Sequence, residues 1–195
     1  MMNNLKELTK DIHRKAESRP WAKLMLSGDM EPIHYGTYLW NQLAIYTALE
    51  NRALEKRVLD EWTAKRIRRM HYICDDLNYY PSVQKRFPST FEYEEHVSKI
   101  QSDEIWAHIY VRHFGDMFGG QMIKKKLPMP KPWMEKMPPS EYTNPGHMYY
   151  YFEDRGELIT KIRSNLKDSM LEECNYVFQS AINLFTDLEN HFDVQ

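Results

Sequence analysis

The chain has 195 residues, 42% of them hydrophobic, and its 26 basic and 28 acidic side chains give a formal charge of −2. This length and apolar content suit one domain, residues 1–195, around one core. The balanced charge gives no reason to expect a nucleic-acid partner. No stretch approaches the roughly 18 apolar residues of a membrane span or a signal peptide's apolar core. We therefore expect a soluble, cytoplasmic protein with two reduced cysteines, Cys74 and Cys174.

Apolar residues recur at helical spacing along the chain and strand-like alternation is scarce, so the sequence predicts an all-α fold. The longest predicted helix, about 31–56, should be the spine of the fold. An irregular loop with six prolines is predicted at 127–146. The other predicted helices are 5–17, a short piece before Ser27-Gly28, 60–77, a helix capped by Ser89-Thr90, one capped by Ser102-Asp103, 153–167 and 170–192.

The segment 110–126 has a helical pattern although it contains Gly115, Gly119 and Gly120. Each glycine inside a helix costs roughly 1 kcal/mol relative to alanine, so the three together cost about 3 kcal/mol of helix preference. Such a cost is expected where another backbone or a flat ligand must approach the helix closely. The segment is therefore the first candidate for a binding surface.

The first helix carries a polar stripe beside its apolar stripe. Successive residues on a helix are 100° apart, so four side chains fall within an arc of about 60°: Lys6, Lys10, His13 and Glu17. His13 then lies at the edge of the core, with a carboxylate one turn away to orient its ring, as an axial metal ligand requires. Taken alone, such a His-x-x-x-Glu pair is more often a surface ion pair. A planar macrocycle held between two helices needs both this stripe and the glycines.

Two segments closely resemble the proximal and distal helices of haem oxygenases: Leu5-Lys-Glu-Leu-Thr-Lys-Asp-Ile-His13-Arg-Lys-Ala-Glu17 and the Gly-Asp-x-x-Gly-Gly-Gln segment that begins at Gly115. Residues 41–50 and 178–188 resemble the second long helix and the last helix of that family, in the same chain order. The resemblance implies a single helical domain with haem between a proximal helix and a kinked distal helix. As a soluble chain of this length, it resembles the bacterial, plastid or phage-type members more than the anchored animal enzymes.

The resemblance also implies roles for individual residues. His13 would bind the haem iron and Glu17 would hold its other ring nitrogen. Asp116, Arg112 and Tyr46 would organise water on the distal side, and we expect Arg112 to pair with Asp116 because they are one helical turn apart. Other implied contacts are Gly115 and Gly119 over the iron, Gly120 at a bend, and the haem-binding residues Lys6, Lys10, Tyr110, Lys161 and Phe178.

The implied reaction is the oxidative cleavage of haem, which is both substrate and cofactor, by O2. The products are biliverdin, usually the IX-alpha isomer, carbon monoxide and ferrous iron, for bilin synthesis or iron release. Electrons would come from a donor protein, a ferredoxin, because the chain has no flavin or nucleotide fingerprint. The candidate docking residues are basic: Lys124, Lys125, Lys126, Arg68 and Arg69.

Some residues depart from the family pattern and leave alternatives open. Glu157 stands where the family commonly has a cation, and Lys161 lacks the bidentate fork of arginine. Phe118 replaces a small residue, so the haem seating and the isomer stay open, as does a non-catalytic haem carrier or sensor. A di-iron oxidase needs two Glu-x-x-His pairs, and only Glu31-Pro-Ile-His34 occurs. The oligomeric state, a monomer or a weak dimer, is not decided by the sequence.

Overall fold

The structure is a computed structural model that describes residues 4–128 and 146–195. These residues are helical and include no strand, which confirms the all-α prediction. The predicted loop at 127–146 lies outside the described residues except at its two ends. The α-helices are α1 (Leu5–Leu8), α2 (Lys10–Glu17), α3 (Pro20–Ser27), α4 (Pro32–Glu55), α5 (Glu61–Ile67), α6 (Met70–Leu77), α7 (Pro88–Lys99), α8 (Ser102–Phe114), α9 (Gly120–Ile123), α10 (Arg155–Ser164) and α11 (Leu171–Phe192). A π-helical turn, Gly115–Gly119, joins α8 to α9, and two short 3-10 helices are Met148–Tyr150 and Asp168–Met170.

Helix α4 is the spine that the sequence predicted. It begins with Pro32, and Glu31 and His34 close its first turn as a capping box. It packs against α6, α7 and α8. The apolar residues that recur at helical spacing along it are buried, namely Tyr35, Tyr38, Leu39, Tyr46 and Leu49, and Leu43 is half-buried. The hydrophobic period of this stretch was therefore sufficient to find the core of the fold.

Helix α11 is the second long helix, and it supports both α2, which bears His13, and α8, which leads into the glycine-bearing segment. It packs against α2 at one position along its surface and against α7 and α8 at others. Glu189, near its end, accepts the backbone N–H of Trp21 at 2.9 Å and pairs with Arg19, so it also fixes the start of α3. Because one rigid helix touches α2 and α8, the proximal and distal segments share a common support.

The structure interrupts two helices that the sequence predicted as continuous. The first breaks at Thr9, whose hydroxyl donates back to the carbonyl of Leu5 at 2.7 Å. Thr9 is buried there, whereas the apolar side chain of Leu8 is exposed. The predicted helix 60–77 breaks at residues 68–69, between α5 and α6. There the backbone N–H groups of Arg69 and Met70 donate to Glu50, a buried carboxylate of α4. Burial raises the pKa of Glu50, and these two donors oppose that shift.

The break at 68–69 also places Arg69 in the core instead of on a basic surface. Its side chain is 1% exposed and donates to the carbonyl groups of Tyr149 and Tyr151. Its guanidinium carbon lies 3.9 Å from the centre of the Phe152 ring. The prediction that Arg69 belongs to a donor-docking surface is therefore wrong, because a buried side chain is not accessible to a partner protein.

Two helix starts also differ from the prediction. Helix α7 begins at Pro88 with Phe87 at its N-cap, so Ser89 and Thr90 lie inside its first turn instead of before it. The Thr90 hydroxyl instead donates to Asn41 on α4 at 2.7 Å, so it joins two helices. Helix α8 is capped by Gln101 and Glu104 in a capping box rather than by Ser102. In each case a polar residue inside the first turn was mistaken for the cap.

Both cysteines are free, Cys74 exposed and Cys174 buried. None of the helices within residues 4–128 and 146–195 combines the length and the apolar character that crossing a bilayer requires.

Gly36 is required by close packing between α4 and the chain that follows α6. A Cβ atom there would lie 2.0 Å from the carbonyl oxygen of Pro81, which is part of the backbone and has little freedom to move. We expect Gly36→Ala to lower the free energy of unfolding by about 1–3 kcal/mol, measured by urea denaturation. The matched control is Gly156→Ala on α10, where no atom lies within 4 Å of the added Cβ. Equal stabilities of the two variants would contradict this account of Gly36.

Candidate active site

The glycine-bearing helix is interrupted by a π-helical turn, Gly115–Gly119, the kind of irregularity often found at functional sites. The three glycines have different surroundings. At Gly115 and Gly119, no atom lies within 4 Å of the position that a Cβ would take. At Gly120, a Cβ would lie 2.3 Å from the ring of Tyr150. Gly115 and Gly119 thus leave a surface free of side chains, whereas Gly120 is needed for packing inside the protein.

Asp116 lies on the inner side of the π-helical turn and is 8% exposed. Its two carboxylate oxygens have different partners: Tyr46 from α4 donates to Oδ2, and Tyr149 donates to Oδ1 at 3.1 Å. Burial raises the pKa of both tyrosines well above the usual value, so both keep their protons and act as donors. The predicted proximity of Tyr46 to Asp116 is therefore present as a direct hydrogen bond.

Two effects on the Asp116 carboxyl oppose each other. Burial raises its pKa to about 6, while the hydroxyls of Tyr46 and Tyr149 and the charges of Arg69 and Arg112 act in the other direction. A carboxyl with a pKa of about 6 is mostly ionised at pH 7 and remains an acceptor of hydrogen bonds. A carboxylate so poised can orient polar molecules next to the π-helical turn.

Arg112 does not pair with Asp116, so the pairing that their spacing predicted is wrong. Its Nε donates to the hydroxyl of Tyr93 on α7 at 2.9 Å, and its Nη2 donates to Ser180 on α11 at 3.2 Å. The guanidinium carbon also lies 4.1 Å from the centre of the Tyr93 ring. Helical spacing brings the two side chains to the same side of α8, but partners on other helices decide where the arginine points.

A chain of hydrogen bonds continues from Arg112 toward the surface. The Tyr93 hydroxyl lies 2.7 Å from Nδ1 of His108, whose Nε2 lies 2.5 Å from Glu173. Since Arg112 only donates, Tyr93 donates to Nδ1, and His108 carries its own proton on Nε2. Burial lowers the pKa of His108 to about 4, so the ring is neutral. Half-buried His96 contacts the same Glu173 oxygen at 2.6 Å.

This cluster offers three ligand atoms within 4.8 Å of one another, from His96, His108 and Glu173. A metal on Nε2 of His108 would move that ring's proton to Nδ1. Tyr93 would then face two donors, Nδ1 and Arg112, and its own proton would lose its acceptor. The cluster is better explained as a brace for Arg112. The Glu31 and His34 pair, considered for di-iron chemistry, forms the capping box of α4.

The proximal side is built around His13 on α2. Its side chain is 52% exposed, and its Nε2 lies 3.4 Å from the carboxylate of Glu17. Its ring centre lies 5.3 Å from that of Phe178 on α11. One ring nitrogen therefore faces a carboxylate, as predicted, and the aromatic contact limits rotation of the ring. Lys6 on α1 and Lys10 on α2 are exposed, and the Nζ of Lys10 lies 3.6 Å from Glu7.

An aromatic row follows the side of the distal helix that faces α10. The ring centres of Tyr110 and Phe114 are 4.8 Å apart, and those of Phe114 and Phe118 are 5.6 Å apart. Two arginines of α10 cover the row: the Cζ of Arg155 lies 4.7 Å from the centre of the Phe118 ring, and that of Arg163 lies 5.6 Å from Phe114. Tyr110, a predicted haem contact, is thus the first member of a mixed aromatic and cationic edge.

Lys161, the other predicted cation on α10, has a different partner. Its Nζ pairs with Asp60, the residue that caps α5. Glu157, one turn earlier, is exposed. Arg155 and Arg163, rather than Lys161, are therefore the α10 cations that contact the distal helix.

Sequence reasoning missed several residues that the structure places around the site. Tyr93 and Ser180 hold Arg112, and Tyr149 holds Asp116. Tyr93 and Ser180 have no distinguishing local pattern. The one signal for Tyr149 was its place in a run of three tyrosines, 149–151, just after the proline-rich loop.

Comparisons with known proteins agree with this architecture. The Heme oxygenase family model matches residues 1–187. "Heme oxygenase 1" of Nostoc sp. is 24% identical and aligns over 98% of this chain and 87% of its own length. The structure of heme oxygenase-2 from Synechocystis sp. PCC 6803 in complex with heme and NO has a TM-score of 0.76 at 24% identity, over 96% of this chain and 84% of that chain. Heme oxygenase from Leptospira interrogans also gives 0.76 at 24% identity, over 94% and 97%. Since the family model covers almost the whole sequence, the chain belongs to the haem oxygenase family, whose members degrade haem.

Proposed function

We propose that this chain cleaves haem to biliverdin, carbon monoxide and ferrous iron, using O2 and electrons from a donor protein. The observation that carries the proposal is the π-helical turn, where the side-chain-free surface of Gly115 and Gly119 adjoins the buried carboxylate of Asp116. We further propose the IX-alpha isomer as the product, for bilin synthesis or iron release. A second, non-catalytic function as a haem carrier has no specific observation in its favour.

The surfaces of the proximal segment (α1 and α2) and of the distal segment (α8, the π-helical turn and α9) suit a flat, largely apolar ligand. Gly115 and Gly119 leave room for a ring system to lie close to the backbone. Large apolar side chains are exposed on α1, the π-helical turn and α9, namely Leu8, Phe118 and Met122. Covering exposed apolar side chains with an apolar macrocycle removes the apolar surface of both from water, which favours binding. The residues present therefore fit haem.

Haem, when bound, supplies the iron that activates O2 and is itself the molecule that is oxidised. His13 would hold the iron through a ring nitrogen, and Glu17 would fix the ring orientation by accepting the proton on the other nitrogen. Phe178 would keep the imidazole from turning away. The neutral imidazole of His13, unlike a thiolate, would add no negative charge next to the iron.

The carboxylates of haem need cations at the edge of the site. Arg155 and Arg163 lie along the distal helix, and their planar guanidinium groups suit bidentate binding of carboxylate. Lys6 and Lys10, on α1 and α2, are exposed and would be further cations for these carboxylates. Lys161 would contribute less than the family resemblance implies, because Asp60 already neutralises its charge.

Asp116, Arg112 and Tyr46 would act together on the distal side. Asp116 would orient water through its ionised carboxylate. Tyr46 keeps its own proton and donates it in a hydrogen bond to Oδ2, which holds the carboxylate in place. Arg112, held by Tyr93 and Ser180, would contribute a fixed positive charge. These groups position water and protons without themselves changing oxidation state.

We propose a ferredoxin as the electron donor. Lys125, Lys126 and Arg68 are exposed, and Lys124 is half-buried, so these cations remain available to an acidic partner. Arg69 is excluded from this surface because it is buried. Electrostatic docking of this kind weakens as salt screens the charges.

Product analysis after one turnover tests the proposed function directly. Haem is added to the purified protein and then reduced ferredoxin in air, and the pigment is identified by chromatography against the biliverdin isomers. We expect biliverdin IX-alpha together with carbon monoxide. Haem absorbance that persists without biliverdin would favour the carrier, and another isomer would reject only the proposed regiochemistry.

The proximal assignment predicts the effect of His13→Ala. We expect this variant to lose the absorption spectrum of imidazole-ligated ferric haem, because the ring nitrogen is removed, and added free imidazole should restore it. The matched control is His71→Ala, which removes another exposed histidine. If His13→Ala keeps the parent spectrum, another residue binds the iron.

The two open glycines predict that bulk at the π-helical turn harms the reaction more than the fold. Nothing lies within 4 Å of a Cβ at Gly119, so Gly119→Leu should fold and bind haem. We expect biliverdin formation to fall at least about tenfold, since loss of substrate orientation has effects of this size or greater. Gly156→Leu on α10 is the control. Cleavage by Gly119→Leu at the parent rate would refute the role given to these glycines.

A further inference from the structure

Among the described residues, Tyr149 donates a hydrogen bond to Asp116 that neither the sequence nor the family resemblance assigned. It reaches Oδ1 of the carboxylate while Tyr46 reaches Oδ2, so each oxygen has its own phenolic donor. The two tyrosine rings meet edge to face, with centres 5.8 Å apart. Tyr149 is 1% exposed, and a buried hydroxyl needs a partner. Its partner is Oδ1 of Asp116, the carboxylate oxygen that Tyr46 does not bind. This carboxylate adjoins the side-chain-free surface of Gly115 and Gly119.

The segment that carries Tyr149, residues 148–151, is called the strap here, and buried groups of α6 hold its backbone. Asp76 accepts the N–H groups of Met148 and Tyr149, each at 2.8 Å, and is itself fully buried. Arg69, just before α6, donates to the carbonyl groups of Tyr149 and Tyr151. Four backbone groups within four residues are thus bound by two buried polar side chains, Asp76 and Arg69, which is a strong restraint on a segment with little regular structure.

The strap is also joined to the helix that bears Asp116. Gln121 donates from its Nε2 to the carbonyl of Tyr150 at 2.8 Å. One residue earlier, Gly120 lies directly under the Tyr150 ring. The strap and the distal helix therefore keep a fixed register, and Tyr149 has a defined position relative to Asp116. These contacts hold the strap through its backbone and the Tyr150 ring, and none of them uses the Tyr149 hydroxyl. The hydrogen bond from that hydroxyl to Asp116 is therefore not needed to hold the strap in place.

We propose that Tyr149 is a positioning residue of this site: with Tyr46, it holds both oxygens of Asp116 in one orientation and keeps the carboxylate an ionised acceptor. The link to haem cleavage rests on the proposed function, but the hydrogen bond and its effect on Asp116 do not. The residues that lower the pKa of this carboxyl are Tyr46 on α4, Arg69 before α6, Arg112 on α8 and Tyr149 on the strap. Two further tyrosines, Tyr38 on α4 and Tyr150 on the strap, are close enough for the Asp116 charge to raise their own pKa values.

The experiment is a carbon-13 NMR titration of the Asp116 carboxyl in haem-free protein, with the signal identified by its loss in Asp116→Asn. Removing one hydrogen bond to a charged acceptor favours its protonated form. We expect a midpoint near 6 in the parent protein, because burial raises the pKa of Asp116 to about 6, and a midpoint roughly one pH unit higher in Tyr149→Phe. The control is Tyr150→Phe, which removes the neighbouring hydroxyl that does not bond to Asp116. An unchanged midpoint in Tyr149→Phe, or an equal shift in the control, overturns the proposal.

A measurement on the unmodified side chain covers the case in which Tyr149→Phe does not fold. The Cζ signal of Tyr149 in the parent protein should move with the same midpoint as Asp116, because the phenol donates to that carboxylate. In Asp116→Asn this dependence on pH should disappear. A Tyr149 signal that does not follow the carboxyl would overturn the proposal without any change at Tyr149.

With haem bound, the pH dependence of single-turnover cleavage gives the link to function. Ionised Asp116 is the active form, so the rate should be high above the midpoint and fall as pH decreases through about 6. Tyr149→Phe should move this fall to higher pH by the same amount as the NMR midpoint. If the parent protein makes no biliverdin, the proposed function fails, while the NMR titration still decides the role of Tyr149.

Discussion

Burying a carboxylate is the constraint to which much of this structure responds. A carboxylate without partners inside a protein is costly, so Asp116 needs donors that its own helix cannot provide. Tyr46 comes from the spine helix α4, and Tyr149 comes from the strap near the other end of the chain. The strap in turn depends on Asp76 and Arg69. The interruption between α5 and α6 belongs to the same arrangement, because it turns Arg69 into the core.

The distal helix uses its glycines for two opposite purposes. Gly115 and Gly119 keep space open on the surface, whereas Gly120 closes space against Tyr150. The first purpose gives a ligand access to the backbone, and the second fixes the strap to the helix. A helix with weak intrinsic preference is tolerable here because packing on α4 and α11 supplies the stability that local propensity lacks. The π-helical turn contains Gly115 and Gly119 and is followed directly by Gly120.

Local patterns were enough for features that depend on one helix. The apolar period located α4, and the spacing of His13 and Glu17 correctly placed them side by side. The pattern failed where partners come from distant segments. Arg112 turns to Tyr93 and Ser180 instead of Asp116, since those groups belong to α7 and α11. Arg69 looked like part of a basic surface because its sequence neighbours are basic. Tyr149 follows a loop without periodicity, so only the tertiary structure shows what its hydroxyl meets.

The two hydrogen bonds to Asp116 also have a consequence for folding. Tyr46 is 70 residues away from Asp116 along the chain, and Tyr149 is 33 residues away on the other side. Contacts between residues so far apart form slowly, because loops must close before the contacts return any free energy. Helices can therefore form early while the carboxylate still lacks its donors. The order in time would be helices first and the active site last, so a newly synthesised chain acquires its secondary structure before it acquires its chemistry.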